Sequence, residues 1–195
     1  MRVFRIPFST NVERVALALG HKGVAVEWVD VDAADRTPVV EISGQELVPL
    51  LVTDDGRVLA DSPRILRYLE ETWPEPPLAP ADPHERAAID VFCDWFNRVW
   101  KRPPNLIANG EGSPELVAEL EGSMALFEAL LHDRDYLFGA FTLADVTAFP
   151  FLKYALGLDA HDVDDFHRIL HEHLPLAGHP RVAEWIRRVD LHPRA

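Results

Sequence analysis

The sequence predicts a small α/β domain followed by an all-helical domain, and two observations carry this prediction. Up to residue 73, short apolar segments alternate between the period of a strand and that of a helix, whereas only helical periods follow residue 83. Between them, the eleven residues Trp73 to Pro83 include five prolines, too many for the interior of a helix or strand. We therefore expect domains at 1–73 and 84–195, joined by an extended linker at 74–83.

The first domain is predicted to begin as a strand, a helix and a second strand. These are Arg2 to Ile6, Val12 to Leu19 and Val24 to Val29, and this alternating order favours parallel pairing of the strands. A hairpin follows, with strands at Val48 to Thr53 and Val58 to Ala60 around a turn at Asp55-Gly56.

A helix is predicted to start directly after this hairpin, at Ser62-Pro63. Serine is a preferred N-cap, and proline at the first helical position loses a donor that would have no partner there. The N-terminus of such a helix favours an anion, because its first amides point outward.

The second domain shows helical spacing throughout. Apolar residues at helical intervals predict one long helix over 84–101 that ends at Pro103-Pro104. Further helices are expected at Leu116 to Leu131, from Thr142 onward, and near 162–172 and 180–189. Thr142-Leu143-Ala144-Asp145 is typical of a capping box, so we assign Asp145 to helix nucleation.

Composition limits the classes of function. The chain has 195 residues, a formal net charge of −13 and a single cysteine, Cys93. The charge argues against nucleic acid and anionic membranes as partners, and no apolar run approaches the roughly 20 residues of a membrane span. One cysteine fits a reducing compartment, and no apolar leader segment is evident, so we expect a cytoplasmic protein.

The order of these elements, together with Val48-Pro49, Asp61-Ser62 and Thr142 to Asp145, resembles a cytosolic glutathione transferase of the serine type, with a tau- or zeta-like N-terminal pattern. The resemblance implies a thioredoxin-like domain that binds glutathione as co-substrate, and a helical domain that binds a small hydrophobic electrophile. It also implies a role in detoxification, a homodimer and no metal.

The candidate catalytic residue is Ser9, which stands five residues before Arg14. In serine-type transferases a serine at this spacing donates a hydrogen bond to the sulfur of glutathione and stabilises the thiolate, which then attacks the electrophile. A thiol otherwise titrates near 8.5. Two alternatives stay open: Thr10 is the rival hydroxyl donor, and Ser9 could simply cap the first helix.

The resemblance also suggests how glutathione is held. Val48-Pro49 matches the family's cis-proline dipeptide, whose first residue presents its backbone to the cysteinyl part of the tripeptide. Asp61 would receive the α-ammonium of the γ-glutamyl group, and Ser62 its α-carboxylate. Helix capping is again the alternative for this pair.

The pocket for the second substrate is expected to draw on five apolar side chains near the first turn and in the first helix of the helical domain. They are Phe8, Trp95, Phe96, Val99 and Trp100. Because an aromatic stripe at helical spacing usually packs into a core, we expect about two of them to touch the ligand.

The chain departs from the family pattern at Glu46-Leu47, where relatives carry glycine followed by lysine, arginine or glutamine. The first turn also lacks cysteine and the Ser-Ser-Cys pattern of maleylacetoacetate isomerases. Because the cation or amide that could hold the glycyl carboxylate is missing at Leu47, the thiol is either glutathione or another small thiol. Alternative functions are a non-enzymatic binding or regulatory protein of the stringent-starvation type, and a lyase or dehalogenase that uses the same thiol.

Overall fold

The computed structural model describes all residues from Met1 to Ala195. It contains two compact units, one formed by Met1–Leu78 with His192–Ala195, the other by Ala79–Leu191. The division after Leu78 lies inside the segment expected to be a linker. No sequence pattern predicts that the four residues from 192 to 195 belong to the first unit.

The first unit is built on a four-stranded sheet in the order β2-β1-β3-β4. As expected, β1 and β2 are parallel, whereas β3 is antiparallel to both of its neighbours, β1 and β4. Helices α1 and α3 pack against each other. The elements are β1 Arg2–Arg5, α1 Thr10–Lys22, β2 Glu27–Asp30, α2 Thr37–Ser43, β3 Leu50–Val52, β4 Val58–Ala60 and α3 Ser62–Thr72.

One buried cluster of β-branched, leucine and phenylalanine side chains joins this sheet to α2. Along β1 and β3 its members alternate with Val3 and Leu51, which are buried on the other face of the sheet, so the period of two places the cluster on one face. They are Phe4, Val31, Val39, Leu50 and Val52.

The linker is fastened to the first unit by a buried lysine. Lys22, at the end of α1, has a side chain with no exposed surface, and its Nζ lies 2.6 Å from Glu70 Oε2. The same ammonium donates to the carbonyl oxygens of Trp73 (2.6 Å) and Pro76 (3.1 Å). Glu70 also accepts from the backbone N–H of Leu78 at 3.1 Å. A buried charge is stable only when paired in this way.

The second unit is helical. Its elements are α4 Pro83–Trp95, α5 Arg102–Ala108, α6 Pro114–Gly122, α7 Met124–Leu130, α8 Leu143–Leu152, α9 Asp165–His173 and α10 Pro180–Asp190. No helix of the protein combines the length and the apolar character that a membrane crossing requires.

Two helical expectations need correction. The helix predicted over 84–101 changes at Phe96–Trp100 into a π-helical turn, closed by a bond from Lys101 N to Phe96 O (3.1 Å). Pro103 and Pro104 do not end a helix but lie in the first turn of α5, where missing N–H groups cost nothing. The helix expected at 116–131 is divided at Ser123 into α6 and α7.

The predicted capping box at Thr142 is confirmed, with both reciprocal bonds present. Asp145 has no exposed surface and accepts from the backbone N–H of Thr142 (2.9 Å) and Leu137 (3.0 Å) and from Trp185 Nε1 (2.8 Å). Burial raises the pKa of its carboxyl to about 6, while these donors pull the pKa down.

Candidate thiol site

Ser9 forms the N-cap of α1. Its Oγ accepts a hydrogen bond from the backbone N–H of Val12 at 3.4 Å, so the helix-capping interpretation describes one of its contacts. A hydroxyl can accept and donate at once, so the same contact leaves the Ser9 hydrogen available to a further acceptor. Ser9 is half-buried, whereas the neighbouring Thr10 is buried.

The turn before Ser9 is held in an uncommon conformation. Phe8 has φ 62°, in the left-handed region that side chains other than glycine rarely adopt. Phe8 is 39% exposed although phenylalanine is usually buried. Strained and exposed residues of this kind concentrate at functional sites.

The start of α3 differs from the sequence prediction. The N-cap position is Asp61, not Ser62, and Asp61 has φ 78° and makes no side-chain capping bond. Asp61 is exposed, while Ser62 is buried as the first residue of the helix. The α3 N-terminus is therefore not closed by a side chain and keeps its positive end for an anion.

Two residues that the sequence interpretation did not assign to the site join α1 to α3. Arg14, buried, donates from Nη1 to Asn11 Oδ1 (3.1 Å) and to Ser62 Oγ (3.4 Å). Ser62 Oγ in turn donates to Asn11 Oδ1 at 3.3 Å. Arg14 served only as a spacing marker in the sequence, although an arginine on the apolar face of a helix signals a buried polar network.

The Val48–Pro49 peptide bond is cis, as the resemblance implied. The loop before it is cross-linked by Gln45, whose side chain accepts from Leu47 N (2.6 Å) and donates to Leu47 O (2.9 Å). Leu47 itself is 68% exposed.

A cation missed in the sequence lies at this loop. Arg36 Nη1 donates to the carbonyl of Glu46 at 3.2 Å and its Nε to that of Ala33 at 3.3 Å. Both partners are backbone carbonyls, so neither of them brings a negative charge to the guanidinium. Leu47 stands where the family has a cation or an amide. That departure was the signal to look for another cation in the preceding segment, where Arg36 lies.

The five apolar candidates separate by burial. Phe96 and Trp100 stack with ring centroids 4.4 Å apart, and Trp100 Nε1 donates to Ser123 Oγ at 2.9 Å, so both lie in the core of the helical unit. Trp95 is half-buried and Val99 is 48% exposed. With Phe8, these are the candidates that keep surface for a ligand.

A mixed four-stranded sheet with a cis-proline loop and a start of α3 that no side chain caps, followed by a helical unit, defines a thioredoxin-like domain with an added helical domain. Residues 3–77 match the model of the glutathione S-transferase N-terminal domain, and residues 94–188 that of the C-terminal domain. The chain belongs to the cytosolic glutathione S-transferase family.

Relatives within the family have different names. The chain is 32% identical over 181 residues to maleylacetoacetate isomerase of Pseudomonas aeruginosa, covering 82% of this chain and 85% of that protein. It is 31% identical over 162 residues to FtsZ-localized protein A of Caulobacter vibrioides, covering 73% and 71%. A tau-class glutathione S-transferase from mango has the same fold, with a TM-score of 0.81, 21% identity and coverage of 98% and 89%.

Proposed function

We propose that this family member activates the thiol of glutathione through Ser9 and directs it at small hydrophobic electrophiles. The thiol proton leaves to solvent, a sulfur–carbon bond forms, and with an aryl halide the carbon–halogen bond breaks and halide departs. Ser9 is not consumed, because it only donates a hydrogen bond to the sulfur.

The observation that carries this proposal is that the Ser9 hydroxyl accepts a hydrogen bond from Val12 N. It caps α1 through its lone pair, which fixes its position and leaves its hydrogen for an acceptor. A thiolate at this point also meets the positive end of the α1 dipole. Thr10 is the weaker candidate, because its side chain is buried.

The γ-glutamyl end is assigned to the start of α3. The exposed carboxylate of Asp61 would take the α-ammonium, while the open first turn of α3 with Ser62 would take the α-carboxylate. The backbone of Val48, before Pro49, would hold the cysteinyl part.

We assign the glycyl carboxylate to Arg36. Its guanidinium lies beside Glu46, two residues before Val48, and supplies the positive charge that Leu47 does not. Replacement of Arg36 by alanine should raise the KM for glutathione about tenfold and leave kcat nearly unchanged, because the contact is equal in ground and transition states. Arg57→Ala, at the hairpin turn, is the matched control.

In the helical unit we assign contact with the electrophile to Trp95 and Val99, and in the first unit to Phe8, because each of these side chains keeps exposed surface. Each can be tested alone by replacement with alanine. The expected result is a higher KM for the hydrophobic substrate with an unchanged KM for glutathione.

We further propose a homodimer in the cytoplasm, with no metal, nucleic acid or membrane as partner. The net charge of −13 disfavours nucleic acid and anionic membranes as partners. Family membership supports the homodimer, the cytoplasmic location and a reaction without a metal. Light scattering should give twice 22.0 kDa, and the mass of a single chain would contradict the dimer.

Calorimetric titration with glutathione tests the central proposal. Binding below millimolar concentration, together with conjugation of an activated aryl halide, is the expected result. No binding at millimolar concentration would overturn it.

A second candidate is a binding protein without catalysis. The likeness to FtsZ-localized protein A favours it, as does exposed Leu47 at the place of the family's cation. This candidate predicts that glutathione binding is absent or that bound glutathione is not turned over by any of a panel of electrophiles.

A further inference from the structure

The four residues His192–Ala195, which we call the strap, follow α10 and lie along α1. Backbone and side-chain bonds fix them there. Ala195 N donates to Ala16 O at 3.2 Å, and Trp28 Nε1 donates to Ala195 O at 3.0 Å. Arg194 Nη2 lies 3.0 Å from Glu13 Oε1 and forms an ion pair with it. The strap therefore contacts α1 over two turns.

Gly20 shows that this contact is closely fitted. A Cβ added at Gly20 would lie 2.1 Å from Pro193 O, 2.5 Å from Pro193 C and 2.8 Å from Arg194 Cα. All three are backbone atoms and cannot rotate away. Gly20 is helical and needs no positive φ, so close approach of the strap is the reason for a glycine there. Glycine inside a helix is unfavourable, and α1 therefore loses intrinsic stability in order to admit the strap.

The strap reaches the part of α1 that carries the thiol site. Glu13, the ion-pair partner of Arg194, donates its backbone N–H to Ser9 O at 3.0 Å. Arg14 lies next to Glu13, and Asn11 lies in the first turn of α1; both contact Ser62 at the start of α3. A movement of α1 would therefore shift Ser9, and at the same time it would disturb the contacts of Asn11 and Arg14 with Ser62.

We propose that the strap is a positioning element of the thiol site, which holds α1 so that Ser9 stays in place to stabilise the thiolate. This rests on the proposed function. A hydrogen bond to a thiolate depends on the donor's position to within a few tenths of an ångström, so a mobile α1 weakens activation before it prevents binding.

Gly20→Ala is the sharpest test, because alanine favours the helix while its Cβ expels the strap. Near pH 6.5, where a thiol needs help to ionise, kcat/KM with glutathione and an activated aryl halide should fall about fivefold or more. Near pH 9, where much of the thiol is ionised without help, the fall should be less than about twofold. Gly122→Ala in α6 is the matched control, since a Cβ there meets nothing within 4 Å; it should leave both rates unchanged.

A second pair of variants keeps the proposal testable if Gly20→Ala does not fold. Arg194→Ala removes the ion pair with Glu13 and should show the same loss confined to low pH, whereas Arg194→Lys should restore much of the rate. Equal loss at both pH values would show a merely structural strap and overturn the proposal.

Hydrogen exchange separates this proposal from the proposed function, because it needs no substrate. Amides of α1 should exchange about tenfold faster in Gly20→Ala than in the wild-type protein. If wild-type protein binds no glutathione, the proposed function fails, and the proposal that rests on it fails with it even if exchange is faster. If it turns glutathione over and neither exchange nor the pH profile changes in Gly20→Ala, only the strap's role is overturned.

Discussion

Two helix starts in this protein use the same residue types for opposite purposes. At the start of α8, Thr142 caps the helix and Asp145 is buried among three N–H donors besides the Thr142 hydroxyl. At the start of α3, Asp61 is exposed at a positive φ without a capping bond, and the Ser62 hydroxyl points to Asn11. The first start is closed by its own side chains, whereas the second is open to an anion. An acid and a hydroxyl at a helix start thus indicate a site only where the first turn stays open.

The largest effect is expected on stability, from replacing Asp145 at the capped start of α8 and not from replacing Asp61 at the uncapped start of α3. Asp145→Ala leaves the donors of Leu137, Thr142 and Trp185 without an acceptor in a dry interior, so stability should fall by about 4 kcal/mol. Urea unfolding measures the loss. Asp61→Ala is the matched control and should cost less than about 1 kcal/mol, since Asp61 is exposed. Similar losses in both variants would break the comparison.

The closed start should also make stability depend on pH. Burial raises the pKa of Asp145 to about 6, above its ordinary value of 3.8, so the folded protein binds the proton more tightly than the unfolded chain. This contribution is full below pH 3.8 and is lost as pH rises through 6, amounting to about 3 kcal/mol at most. Unfolding of wild type and Asp145→Asn from pH 4 to 7 measures it. A difference between them that does not change over this range would contradict the prediction.

A smaller effect is expected from Ser9→Ala. Turnover of glutathione with an activated aryl halide should fall about tenfold or more, because the thiolate loses its hydroxyl donor. Ser113→Ala removes a comparable cap, in which Ser113 Oγ accepts from Leu116 N at 3.3 Å, outside the proposed site. Both should lose about 1 kcal/mol of stability, and only the first should lose activity. Unchanged turnover in Ser9→Ala would remove Ser9 from its proposed role.

The smallest effect is expected on the KM for glutathione, and it tests whether the uncapped start of α3 binds the γ-glutamyl group. Asp61→Asn keeps the size of the side chain and removes its charge, so the KM for glutathione should rise about fivefold with little change in kcat. Asp82→Asn, at the N-cap of α4, is a matched control that should leave KM unchanged. A drop in kcat with constant KM would show that Asp61 acts on the thiol instead of the γ-glutamyl group.

The sequence was sufficient where the causes are local. The β4 strand has the predicted bounds Val58–Ala60, and the Thr142 capping box forms as its residue types require. The start of α3 was misassigned by one residue, because serine is the better cap by propensity and only the observed φ of Asp61 decides otherwise.

Non-local contacts could not be foreseen. Arg14 contacts Ser62, 48 residues away, Arg36 contacts Glu46, 10 residues away, and the strap contacts α1 from still farther along the chain. Their roles depend on tertiary distances that no periodicity encodes.

The π-helical turn at Phe96–Trp100 was missed for a different reason, because its contacts are local: Phe96 stacks on Trp100, and the Asn97 side chain donates to Cys93 O at 2.8 Å. The spacing of its apolar residues does not distinguish it from an α-helix.

The buried lysine at the end of α1 decides where the molecule can be divided. The ammonium of Lys22 is satisfied by Glu70 and by carbonyls of Trp73 and Pro76, while Glu70 also accepts from Leu78. A fragment cut at residue 73, where composition changes, would lose the carbonyl of Pro76 and the N–H of Leu78 and let water reach a buried ion pair. An autonomous first unit must therefore extend at least to Leu78, so the proline-rich segment up to that residue is part of the folding unit rather than a spacer.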